Sequence, residues 1–110
     1  ISTKISNYPE IHNFFDEAVR LFLQGFFRNC CISCAITLES VFKQKFGDQK
    51  LVDLINEAEK NNVISKSDRF YLHGIRIDRN DYVHTISQEV TEDDARIIIL
   101  IVGKILNKLF

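Results

Sequence analysis

The chain has 110 residues, of which 45% are hydrophobic and 26% charged, with a net charge of −1 at neutral pH. That length fits one domain, and the apolar fraction is too high for disorder. Near-zero charge excludes a protein that coats nucleic acid through a basic surface, so any nucleic acid must meet a local site.

Four Gly and one Pro are too few for a turn-rich β architecture, and apolar residues recur at helical spacing throughout. The expected fold class is all-α, a compact bundle of about five helices. The first helix is predicted from Tyr8 or Pro9 to about Leu23, on the spacing of Phe14, Phe15, Ala18, Leu21 and Phe22, with Gly25 as the break. A second is predicted from about Phe26 to Phe46, along Phe27, Cys31, Cys34, Leu38, Val41 and Phe42, ending at Gly47. Glu39 on this helix reads either as a solvated charge or as the partner of an arginine near a site.

A shorter third helix is predicted over about Lys50 to Lys60, stopped by Asn61 and Asn62. Ser65 is a suitable N-cap for a fourth, which carries Phe70, Tyr71, Leu72 and Ile75 and runs towards Arg79. Thr91 opens the last, with Glu92, Asp93 and Asp94 in a first turn that favours acids. From Ile97 to Val102 this helix is apolar almost all round, so it is expected to be buried on several sides, either as a central core helix or with one side against a second subunit.

The longest apolar run falls far short of the ~20 residues of a membrane span, and no membrane partner is expected. Cys30, Cys31 and Cys34 are odd in number and clustered, which does not suit a disulfide framework. They are expected to pack as small hydrophobes, reduced and free of metal, in a cytoplasmic setting. His12 and His73 have no recognisable partner and are expected to be structural, with His73 placed where it can also line a cleft beside Arg76. The chain begins with Ile and is expected to be a piece of a longer protein.

The stretch with chemistry in it is Arg76-Ile77-Asp78-Arg79-Asn80-Asp81-Tyr82-Val83-His84. Were the fourth helix to continue through it at 100° per residue, Arg76, Asn80 and His84 would form a slanting line down one face. Arg79 and His84 would flank that face, about 140° apart. Histidine exchanges protons near neutral pH, and arginine offers a permanent charge and a fork of donors to phosphate oxygens. Two arginines, an amide and an imidazole suit phosphodiester cleavage, and no carboxylate cluster with metal-ligand spacing accompanies them. The spacing alone is of low specificity. On spacing alone the plainer arrangement is favoured, in which Arg79 pairs with Asp78 or Asp81 and His84 packs or caps.

The Arg79-Asn80-x-x-x-His84 string, set between the last two helices of an all-α chain, resembles the HEPN superfamily. In that family an Arg, usually followed by a polar residue such as Asn, precedes a His with four to six residues between them. Ala35-Ile36-Thr37-Leu38-Glu39-Ser40-Val41-Phe42 and Thr91-Glu92-Asp93-Asp94-Ala95 resemble a branch often fused to restriction or helicase modules. The similarity runs over nearly the whole chain from about Phe14. It implies a helical bundle, a homodimer that pairs two Arg/His motifs in one composite site, and metal-independent RNA endonuclease activity with no cofactor, in a toxin-antitoxin, CRISPR or antiphage setting. Arg79 and His84 would be the catalytic residues, supported by Asn80 and Arg76, with RNA as substrate and an antitoxin or a fused defence domain as further partner. Some members of the superfamily instead bind nucleotides or mediate assembly without cutting.

Overall fold

A computed structural model describes residues 9–84 and 89–110, and for residues 77–84 the backbone alone. It contains five helices among the described residues: α1 (Pro9–Leu23), α2 (Phe27–Phe46), α3 (Leu51–Lys60), α4 (Lys66–His84) and α5 (Glu92–Leu109). No strand accompanies them among those residues, so the all-α bundle expected from the spacing is what forms.

The helix ends follow from local chemistry. Gly25 takes φ 84° and closes α1 with paired bonds from its own amide to the Phe22 carbonyl and from the Phe26 amide to the Leu21 carbonyl. That is the left-handed C-terminal turn which glycine adopts without strain. Asn62, at φ 60°, ends α3 in the same way, with the Val63 amide bonded to the Ala58 carbonyl. At the other ends, Thr91 and Asp94 cap α5 reciprocally: the Asp94 amide donates to the Thr91 hydroxyl at 3.2 Å, and the Thr91 amide to the Asp94 carboxylate at 3.1 Å. Ser65 and Asp68 repeat the exchange at the start of α4. Each such cap satisfies amides that have no partner inside the helix.

The central element is α2, which packs against all four other helices. Its buried residues include Cys30, Cys31, Ser33, Cys34, Ala35 and Thr37. Small side chains let neighbouring helices come close from several directions. The buried hydroxyls are satisfied locally, Thr37 by donating to the Ser33 carbonyl at 2.9 Å and Ser33 by donating across to the Phe14 carbonyl of α1 at 3.1 Å. Towards its C-terminal end α2 widens into Leu38, Val41 and Phe42, which join Leu54 and Ile55 of α3, Leu72 of α4 and Ile105 and Leu106 of α5 in the core.

The last helix is not the central core helix, one of the two roles its sequence left open. Ile98, Val102, Ile105, Leu106 and Leu109 face the core, whereas Ile97 is 56% and Leu100 65% exposed. Within this chain α5 is therefore buried on one side only, and the central position belongs to α2. A groove of about 590 Å³ lies beside the exposed strip, lined by Phe15, Leu100, Lys104 and Asn107 among others. Among the described residues no helix is long and apolar enough to cross a membrane.

Candidate Arg/His helix and its cationic flank

Helix α4 carries every residue singled out for chemistry. Ser65 and Asp68 fix its start, and its backbone stays helical through His84. The Arg76–His84 stretch is thus wholly helical, and the helix runs past the Arg79 towards which the sequence took it. At 1.5 Å rise per residue, Arg79 and His84 are about 7.5 Å apart along the axis, and Arg76 precedes Arg79 by nearly one turn. Backbone geometry sets Arg76, Asn80 and His84 on one slanting line and Arg79 beside it. The side chains of Arg79, Asn80 and His84 lie outside the described residues.

Arg76 itself is half-buried. It lines a cleft of about 270 Å³ with Ala35, Leu38, Glu39 and Lys43 of α2 and Lys50 and Leu51 at the start of α3. Its Nε is buried and meets no acceptor. Glu39, which the sequence left between solvent and an arginine, forms an ion pair with Lys43 at 3.0 Å. Lys43 also reaches Asp48 at 3.9 Å.

One and two turns before Arg76, the same face of α4 presents His73 and Arg69. His73 Nε2 lies 2.8 Å from the Asn56 side-chain oxygen on α3, and Arg69 donates to that oxygen at 3.3 Å. With the amide oxygen turned to both donors, Nε2 carries the imidazole proton and Nδ1, buried without a partner, is left bare. Burial lowers the pKa of His73 from its ordinary 6.5, and the neighbouring Arg76 and Arg69 charges lower it further. Among the described residues no carboxylate forms an ion pair with Arg69, His73 or Arg76. His73 thus joins α4 to α3 through Asn56, a partner its sequence context did not reveal, beside two arginines that no carboxylate among the described residues balances.

A second cluster on α4 escaped the sequence reading altogether. Asp68 is only 2% exposed. It accepts from Lys104 at 3.1 Å and from Lys108, both on α5. Burial works against its charge, but the bonds from Lys108, the Ser65 amide and Lys104 outweigh it and hold the carboxyl well below its ordinary range. Lys104 and Lys108 lie towards the C-terminal end of α5. Their separation of 36 and 40 residues from Asp68 gives no local signal.

The three cysteines are buried, and no disulfide links them. A hydrogen bond with Cys30, together with burial, pushes the Cys34 thiol up, which makes it a poor nucleophile. Among the described residues no three His, Cys, Asp or Glu side chains gather as a metal-holding group.

Fold and site together define an all-α bundle with an arginine- and histidine-bearing helix packed against its central helix. Residues 16–110 match the family described as Domain of unknown function (DUF4145), and the chain belongs to that family. No curated protein matches it.

Proposed function

We propose that this chain is a metal-independent RNA endonuclease of the HEPN type, working as a homodimer in a toxin or antiphage defence setting. The observation that carries the reading is the placement of Arg76, Arg79, Asn80 and His84 along one continuous helix, in an order that resembles the HEPN motif. The ribose 2′-oxygen attacks the adjacent phosphorus, forming a 2′-O–P bond as the P–O5′ bond breaks. His84 takes the 2′-hydroxyl proton and returns it to the departing 5′-oxygen, as a group titrating near neutral pH can. Arg79 stabilises the charge that develops on the phosphate oxygens, while Asn80 and Arg76 act in support. The products are a 2′,3′-cyclic phosphate and a 5′-hydroxyl. Incubating the protein with RNA and with DNA of the same sequence, in excess chelator, tests this. RNA is expected to be cut to cyclic-phosphate ends and DNA to survive, because it lacks the attacking hydroxyl. Cleavage that stops with the chelator contradicts the mechanism.

A second reading keeps the dimer without the chemistry, and starts from the exposed Ile97 and Leu100. These suit the isologous contact of a two-fold dimer, and on that reading the chain is a non-catalytic dimerisation or nucleotide-sensing module of a larger defence protein. Light scattering separates assembly from chemistry. Leu100→Lys is expected to give a folded monomer, and a parent protein that dimerises yet cuts no RNA, and does not harm cells on expression, favours the module.

A further inference from the structure

Three cations line the cleft between α2, the start of α3 and α4, namely Lys43, Lys50 and Arg76, against the single carboxylate of Glu39. Glu39 is engaged by Lys43 at 3.0 Å, so it offsets that lysine and leaves the charge of Lys50 and Arg76 standing. A buried donor with no partner, such as Arg76 Nε, carries a desolvation cost that a bound acceptor would remove. Helix α3 begins at Leu51, another wall of the cleft, and no side chain caps it, although Asp53 in its first turn offsets part of the positive end of its dipole. His73 and Arg69, on the same face of α4, bring no balancing carboxylate. At about 30 Å³ per water in the liquid, a cleft of about 270 Å³ holds a tetrahedral anion with some of its hydration.

We propose that this cleft is a phosphate-binding subsite formed by Lys50, Arg76 and Lys43, and that it takes a backbone phosphate of the RNA next to the one that Arg79 and His84 act on. The inference rests on the ribonuclease reading for the identity of its ligand. Arg76 comes nearly one helical turn, about 4.5 Å, before Arg79, so one strand can lie against both. Arginine supplies a bidentate fork to the phosphate and lysine a point charge.

The test uses a fluorescein-labelled oligoribonucleotide whose 2′-hydroxyls are methylated, so that it binds without being cut, and reads anisotropy over a range of salt concentrations. Lys50→Ala and Arg76→Gln are each expected to weaken binding about tenfold, with Lys50→Ala also reducing the salt slope by roughly 0.7 for one lost single-strand phosphate contact. Lys50 is exposed, so its loss leaves the fold intact, and Lys60→Ala at the far end of α3 should change nothing. A parallel titration with ADP separates a strand's phosphate from a free nucleotide's. Lys50-dependent binding of ADP without binding of the oligonucleotide overturns the RNA assignment, and unchanged oligonucleotide affinity and slope in Lys50→Ala overturn the subsite. If the parent cuts RNA while Lys50→Ala binds normally, the subsite falls and the nuclease stands. If Lys50-dependent RNA binding occurs without cleavage, the subsite stands and the nuclease falls.

Discussion

Two charged clusters sit a few residues apart on α4, and they are built on opposite principles. At the start of the helix, Asp68 is closed off from water and accepts from two lysines and a backbone amide. Every charge there has its partner, and the cluster ties α4 to α5. From Arg69 to Arg76 the helix presents two guanidiniums and an imidazole whose only described side-chain hydrogen-bond partner is the neutral Asn56. The first arrangement holds the fold together. The second has no ion-pair partner among the described residues, which is the feature that the proposed phosphate subsite builds on.

Substitution should separate the two clusters cleanly. Asp68→Ala removes a helix cap and the shared acceptor of two lysines, and it is expected to destabilise the protein by about 2 kcal/mol, read as a lower denaturant midpoint with unchanged slope. Arg69→Ala breaks only a long bond to a neutral amide and should stay within about 0.5 kcal/mol of the parent. If Arg69→Ala is the more damaging, the division between structural and ligand-facing charge is wrong.

Acid should sharpen the same contrast. Because the folded-state pKa of Asp68 is depressed, its contribution is complete above the ordinary carboxylate range and is lost as pH falls through the folded value. Asp68→Asn should therefore flatten the acid limb of the stability curve. The effect of His73 is smaller and lies at higher pH. Its pKa is also lowered in the fold, so the unfolded chain binds the proton first and stability declines as pH drops below about 6.5. His73→Gln should remove that shallow decline, which careful denaturation between pH 7 and 5 will resolve.

Much of the fold was legible because it was written in local signals. Gly25, Asn62, Ser65 and Thr91 all mark helix ends by conformations or caps that need only neighbouring residues. The roles of α2 and α5 were harder to read. A run such as Ile97–Val102 states hydrophobicity but not how many neighbours a helix has, whereas the small residues Cys30, Ser33, Cys34, Ala35 and Thr37 were the available clue that α2 is surrounded. The candidate site was legible as a string, and the backbone confirms only that the string is helical. Its flank was not, because the Asn56–His73, Asp68–Lys104 and Lys50–Arg76 relations join residues distant in sequence. The partly buried, predominantly cationic environment of Arg76 exists only once α2 and α3 have packed against α4.

The reading of α4 as a catalytic helix depends on His84 more than on any other residue. Single-turnover cleavage of one labelled RNA, in chelator, by the parent and by His84→Ala shown to be folded by circular dichroism, therefore tests it most directly. Removing the proton-transfer group is expected to slow cleavage ~10²–10⁴-fold while binding of the uncleavable oligonucleotide stays within about twofold. A folded His84→Ala protein that cuts as fast as the parent would contradict the account.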